Sequence, residues 1–179
     1  MVELYNAEQT PWEMIREDVV GLERMHFGEG GFQEDRLKAG FMGSKNASVI
    51  VRDQGRLVGF VYAEPSQAAY DEIPGYYLTE SGERRHLELK KNEQTAVVGD
   101  IAIHKNYMGL HLTGLMMKKL EEELVRKGYL YLEQDAAIDN NYAANVKKNY
   151  ADRIIESFEH GSMWGPEVFF RIKLPPAAA

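Results

Sequence analysis

The sequence predicts an α/β fold: a mixed, mostly antiparallel central sheet of about seven strands, with helices on both faces. Three observations predict it. Asp53-Gln54-Gly55 is tight-turn chemistry between two apolar runs, residues 47–51 and 57–63, and such a pair reads as a hairpin. Strand, long amphipathic helix and strand then follow one another from residue 95 to residue 132, a succession that calls for a parallel pair. Two further strand-like runs, residues 153–158 and 168–174, restore antiparallel pairing at the end of the chain. Strands in hairpins and in a crossover, with amphipathic helices between them, bury their apolar sides best as a layered mixed sheet.

Each element has its own justification. Residues 2–5 alternate weakly and read as a first strand. Thr10-Pro11-Trp12-Glu13 carries a capping residue, a proline suited to a first helical position and a glutamate three residues after the cap. Trp12, Ile15, Val19 and Leu22 follow at helical spacing. Gly28-Glu29-Gly30-Gly31 interrupts that helix, and a short second helix is expected over residues 33–42. After the hairpin, residues 66–94 form a polar insert with Pro74, Gly75, Tyr76 and Tyr77; a connection this long inside a compact domain is usually functional or disordered. Val97, Val98, Ile101 and Ile103 surround Asp100 in the next strand. Leu112, Leu115, Met116, Leu120 and Leu124 mark one face of a helix, with Lys118, Glu121, Glu122 and Arg126 outside, and Gly128 ends it. Residues 129–132 are a strand, Asn140 or Asn141 caps a short helix running to about Tyr150, and Gly161, Gly165 and Pro166 lie in a loop between the last two strands. The whole reads as one domain over residues 1–174, with residues 175–179 a disordered tail.

Composition excludes several function classes. The chain has 179 residues, of which 44% are hydrophobic, and no apolar run approaches the ~20 residues that span a bilayer. The first residues lack the basic-then-apolar pattern of a secretory signal, so a cytoplasmic chain is expected. With no cysteine, disulfides, thiolate metal sites and cysteine nucleophiles are excluded. His26, His86, His104, His111 and His160 show no metal-ligand spacing. A formal charge of −7 argues against nucleic acid and favours cationic small partners.

The segment from Ile101 to Met117 carries chemistry. A strand ends, a glycine-containing turn follows, and a long helix opens. The first turn of a helix presents unpaired N–H groups, and its dipole adds partial positive charge. Together these make a cradle for phosphate.

Element order and the residues between Asp100 and Gly128 resemble the GNAT superfamily of acyl-CoA-dependent N-acetyltransferases. In that family a strand ends in a pattern of the type V-x-P-x-Y-R-G-x-G-x-G/A and opens a helix. Ile103, Tyr107, Gly109, Leu112, Met116 and Met117 match; Lys105, Met108, His111 and Thr113 depart from it. The resemblance implies acetyl-CoA as acyl donor and no metal. Its pyrophosphate would lie on the backbone amides of Met108, Gly109, Leu110, His111, Leu112, Thr113 and Gly114. Its pantetheine arm would pair with Ile101, Ala102 and Ile103, where that strand splays from residues 129–133. Asn140 or Asn141 matches a family asparagine that touches the cofactor.

The implied reaction is direct attack of a primary amine on the thioester, through a tetrahedral intermediate and without a covalent enzyme intermediate. An alkyl ammonium has a pKa of about 10, so a base must take a proton. Asp100 is the first candidate, with Glu133, expected to be solvent-exposed, and Glu64 behind it. A backbone N–H near Ala102–Ile103 would stabilise the oxyanion. The acid for the departing thiolate is assigned to Tyr150, because the family's tyrosine position holds Lys147 or Lys148 here; Tyr142 lies one turn earlier. Within the insert, Tyr70, Tyr76 and Tyr77 could wall an amine site, and Asp71, Glu72 and Glu80 could attract a cation. The acceptor would be a small molecule or a peptide, with no nucleic-acid or membrane partner, and the resemblance allows a homodimer. The alternative reading is a catalytically silent acyl-CoA-binding or regulatory module of the same fold.

Overall fold

The computed structural model describes residues 2–72, 93–162 and 165–177. Seven strands form one mixed sheet: β1 (Val2–Asn6), β2 (Ala47–Asp53), β3 (Arg56–Pro65), β4 (Thr95–Ile103), β5 (Tyr131–Ala137), β6 (Ile154–Ser162) and β7 (Gly165–Lys173), in the order β1-β2-β3-β4-β5-β7-β6. Five α-helices are described: α1 (Arg16–Phe27), α2 (Glu34–Met42), α3 (Ser66–Glu72), α4 (Leu112–Arg126) and α5 (Tyr142–Asn149). The chain divides into two compact units, residues 1–64 with 99–127 and residues 65–98 with 128–179.

In the first unit β1, β2 and β3 are antiparallel neighbours. The β2–β3 turn has Gln54 at φ 51° and Gly55 at φ 81°. Two successive positive φ values are the type I′ geometry that matches strand twist. Strand side chains alternate between faces. On one face Ile50, Phe60 and Tyr62 pack with Trp12, Ile15, Val19 and Leu22 and with Leu37 and Phe41 of α2; on the other, α4 packs on β2. A register shift at Val51/Arg52 opposes two residues of β3 to one step of β2. Such a bulge turns Leu57 onto the Phe60 face, and Leu57 accordingly joins that core.

The start of α1 differs from the expectation. Residues Trp12–Met14 form a 3₁₀ turn after Pro11, no side chain caps it, and α1 proper begins at Arg16. Trp12 is drawn into the core against Phe41, with ring centroids 5.8 Å apart, and burying the indole tightens the turn that the capping box would have opened. In α4, Met116, Leu120 and Leu124 are buried as expected, but Leu115 is 49% exposed. At 100° per residue it stands about 140° around the helix from Leu120. Glu121, expected outside, is buried at the stripe's edge. Gly128, at φ 89°, follows the end of α4.

In the second unit β5 and β6 flank β7, both antiparallel to it, while Thr95–Val97 run parallel to Tyr131–Glu133. Ala69, Val97 and Phe169 form one small core, with Phe158 stacked on Phe169 at 4.7 Å. Ala136, Ala143, Val146, Tyr150, Phe170 and Ile172 form another. Gly161, Gly165 and Pro166 are not loop residues: Gly161 pairs with Pro166 and Ser162 with Gly165 at the end of the β6–β7 ladder. Pro166 is tolerated because it sits at the beginning of its strand. Of the insert, residues 66–72 are helix α3; Tyr76, Tyr77 and Glu80 lie outside the described residues, as do the side chains of Tyr70, Asp71 and Glu72.

Candidate active site

The end of β4 is anchored on several sides within the first unit. The His104 amide donates to the Val58 carbonyl at 2.8 Å, and His26 Nε2 lies 2.7 Å from the Ile103 carbonyl oxygen. The turn that follows begins as a 3₁₀ segment, Lys105–Tyr107, entered through His104, whose Nδ1 accepts from the Asn106 amide. Tyr107 then donates its hydroxyl to Asp53 Oδ2 at 2.9 Å, tying the turn to the β2–β3 hairpin. This family-type tyrosine thus has a definite local role: it holds the loop.

Gly109 has φ 81° and His111 φ 59°. Glycine takes the left-handed region freely, whereas a histidine there is uncommon. His111 is the N-cap of α4, and no side chain caps the helix. Its first helical bond runs from the Leu115 amide to the His111 carbonyl. The amides of Leu112, Thr113 and Gly114 precede that bond and have no acceptor inside the helix. Met108, Gly109, Leu110, His111 and Gly114 are exposed. A Cβ added at Gly109 or Gly114 would meet nothing within 4 Å. The turn is therefore open, with its amide donors uncovered by side chains, and it fits a diphosphate. The substituted positions His111 and Thr113 leave their backbone donors in place, whereas the Met108 amide, expected among the phosphate donors, is given to the Lys105 carbonyl at 3.4 Å and closes the 3₁₀ turn.

Asp100 lies on β4 just before this region, 8% exposed. Its Oδ1 accepts from the Ile101 amide at 2.6 Å. Around it stand four groups whose roles the sequence reading did not assign together. Glu23 of α1 is 1% exposed, and its Oε1 accepts from the Phe32 amide at 2.7 Å. Arg36 of α2 pairs with Glu64 of β3, and its guanidinium lies 5.3 Å from the Phe32 ring centroid and 5.8 Å from that of Tyr62. Tyr62 is fully buried, and a Cβ at Gly40 or Gly99 would enter its ring. Burial pushes the Asp100 carboxyl well above the usual carboxylate range; a hydrogen bond with Glu23 and that residue's charge push the same way, against the Ile101 amide and Arg36. Burial also raises the Tyr62 phenol, helped by Asp100, Glu64 and Glu23. The signal for Glu23 was present in the sequence: it falls on the i, i+4, i+7, i+8 stripe of Ile15, Val19 and Leu22, where a charged residue must find buried partners.

The other candidates are placed differently. Glu64 is engaged by Arg36. Glu133, expected to be exposed, is 99% buried and lies 3.4 Å from Arg171, whose guanidinium also covers the Tyr131 ring. The reason is register: Glu133 stands opposite Arg171 in the β5–β7 ladder. Tyr150 is packed in the α5 core, with Arg153 4.8 Å from its ring centroid. Tyr142 donates its hydroxyl to Gln134 Oε1 at 2.9 Å. Of the two asparagines, Asn140 supplies the side chain, accepting from the Tyr142 amide at 2.9 Å, and Asn141 supplies the left-handed backbone, φ 64°. Among the described residues, no group of three or more His, Asp or Glu could hold a metal ion. No described helix is long and apolar enough to cross a membrane.

Comparison with known proteins bears on this geometry. The family model described as Acetyltransferase (GNAT) family matches residues 2–148. No curated protein matches the sequence. Among solved structures, an acetyltransferase of the GNAT family from Streptococcus pneumoniae is similar with a TM-score of 0.65 at 13% identity, over 98% of this chain and 100% of that one. The ribosomal-protein-S18-alanine N-acetyltransferase from Escherichia coli is similar at 0.59 and 14% identity, over 100% and 96%. An aminoglycoside 6'-N-acetyltransferase complexed with coenzyme A gives 0.59 and 13%, over 100% and 99%. At such identities these likenesses speak for the fold.

Proposed function

Because the chain belongs to the acetyltransferase (GNAT) family, we propose that it moves an acetyl group from acetyl-CoA directly to a primary amine. One observation carries the reading: the open, uncapped start of α4, with Gly109 and Gly114 leaving the amides bare. The amides of residues 109–114 would hold the pyrophosphate, and the Ile101–Ala102–Ile103 backbone would orient the pantetheine arm. The thioester supplies an activated acyl group, so the protein has only to orient, to move protons and to stabilise an oxyanion in a tetrahedral intermediate. A nearby amide at Ala102 or Ile103 would serve the oxyanion; the Ile101 amide is already given to Asp100.

Asp100 would be the base. A carboxyl whose pKa is raised by burial is a better match for taking a proton from an ammonium group near neutral pH. The acceptor is proposed to be an amine because two of the similar structures are N-acetyltransferases by description and because the net charge of −7 favours a cation. The silent acyl-CoA-binding module is the second reading, favoured by the deep burial of Asp100, which an inert core carboxyl would share.

Two measurements decide. Acetyl-CoA at millimolar concentration should raise the unfolding temperature; no shift defeats both readings. Thiol release on adding a panel of primary amines then separates the enzyme from the module, and a bound but unreactive thioester would leave only the module.

A further inference from the structure

The end of β4 presents a carbonyl that helix α1 has already engaged. Ala102 and His104 turn their backbone groups to β3: the Ala102 carbonyl oxygen lies 3.3 Å from the position a Cβ on Gly59 would take, and the His104 amide donates to the Val58 carbonyl at 2.8 Å. Backbone groups alternate along a strand, so Ile101 and Ile103 turn theirs to the opposite edge. Register with β5 covers only Thr95–Val97, which leaves that edge over residues 101–103 outside the ladder. Two carbonyls stand on it, those of Ile101 and Ile103. The Ile103 carbonyl is taken: His26, in the last turn of α1, places Nε2 2.7 Å from its oxygen. A carbonyl oxygen only accepts, so Nε2 carries the hydrogen and donates it. Among the described residues no side chain donates to the Ile101 carbonyl.

We propose that His26 is a positioning residue that sets how far the donor's pantetheine arm runs along β4: with the Ile103 carbonyl closed, an amide N–H of the arm pairs with the Ile101 carbonyl instead. The inference rests on acetyl-CoA binding at the α4 turn and along β4, as in the proposed function. The turn follows β4 directly, so an arm leaving the pyrophosphate meets Ile103 before Ile101. A strand rises about 3.3 Å per residue, so the Ile101 stop lies about 7 Å further along and that much nearer Asp100. An arm halted at Ile103 would hold its thioester about 7 Å short. That gap matters because reacting groups must come within about 3–3.5 Å of one another. His26 touches neither the acetyl group nor the amine; it acts by removing the wrong acceptor from the edge.

The test reads these groups directly by NMR of the ¹³C,¹⁵N-labelled full chain. Without ligand at about pH 8, above the ordinary histidine range, His26 should be the Nε2–H tautomer. On titration with coenzyme A the Ile101 carbonyl resonance should move and the Ile103 carbonyl should stay. An Nδ1–H tautomer, or an Ile103 carbonyl that moves while Ile101 stays, would overturn the role of His26, and neither result needs a variant to fold. His26→Leu should open Ile103 as a second, unproductive stop. Such binding ties up enzyme without changing the barrier from free enzyme and free donor. Both kcat and the KM for acetyl-CoA should therefore fall together by about two- to tenfold, the weight of one net hydrogen bond, with kcat/KM kept. A KM that rises would mark general loosening and overturn the inference. His26→Gln, whose amide donates at similar reach, should restore both constants; identical behaviour of the two variants would overturn the hydrogen bond as the cause. Coenzyme A shifts at Ile101, with Ile103 unmoved, in a protein that releases no thiol to any amine would support the role of His26 and sink the transferase reading. Resonances that ignore coenzyme A altogether would sink both.

Discussion

At the scale of single residues, Asp100 is the group on which the chemistry and the folding energetics meet. Asp100→Asn should lower kcat by about 10²- to 10⁴-fold, the usual contribution of a positioned base. Acetyl-CoA should still raise the unfolding temperature in this variant, since the amides of the α4 turn are untouched; steady-state thiol release and a thermal-shift titration check the two halves. Linkage gives a second outcome. The folded pKa of Asp100 stands above its unfolded value, so the folded chain keeps a proton that the unfolded chain releases. That contribution to stability is complete below about pH 4 and is lost as pH rises through the folded pKa. Glu23→Gln removes the competing carboxyl at nearly constant shape, so its unfolding temperature should fall less between pH 4 and 8 than that of the wild type, and exceed it at pH 8.

Elements make their own predictions. The start of α4 offers amide donors to a ligand, but an acidic residue within its first turn would compete for the same field. Gly114 is the third residue of the helix and faces open space. Gly114→Asp should stabilise the unliganded protein by about 0.5–1 kcal/mol, through helix propensity and the helix dipole. The same carboxylate should weaken acetyl-CoA binding, so the two effects have opposite signs; denaturant melts and calorimetric titration separate them. In the second unit, the β5–β7–β6 layer carries a different titrating group. His160 is buried with its Nε2 2.8 Å from Asp135 Oδ1, and it stands opposite Glu167 in the ladder. Burial alone would lower its pKa; the hydrogen bond and charge of Asp135, the Gly161 carbonyl and the Glu167 charge together raise it. Its stabilisation is present below about pH 6.5 and is lost as pH rises through the raised folded value. Asp135→Asn should flatten that loss, read as unfolding midpoints measured from pH 5 to 9.

For the whole molecule, ligand binding and folding form one equilibrium. Free acetyl-CoA at 100 times its Kd should add about 2.7 kcal/mol to the unfolding free energy. For a chain of this size that corresponds to roughly 5–11 °C in unfolding temperature. Coenzyme A should give a similar shift if the phosphates dominate binding, whereas acetate should give none. Calorimetric or fluorescence melts at matched multiples of Kd provide the comparison.

Local chemistry by itself determined much of this protein. The Asp53–Gly55 turn, the glycine after α4, the apolar alternation of the strands and the strand–turn–helix around Gly109 all act through neighbours within a few residues, so their outcome is written in order along the chain. That was enough for the strand order, the family resemblance and the open glycine-containing turn before α4, though not for helix α3 in the insert. What surrounds Asp100 was decided only by folding. Glu23, Arg36, Tyr62 and Glu64 come from three elements separated by up to 77 residues from Asp100, and no local spacing brings them together. Likewise Glu133 is buried because register sets Arg171 opposite it, and Trp12 draws the start of α1 into a 3₁₀ turn because Phe41 waits in the core. Burial and charge balance are properties of the assembled interior, and they set whether a carboxyl is a solvated surface group, an ion-pair partner or a base.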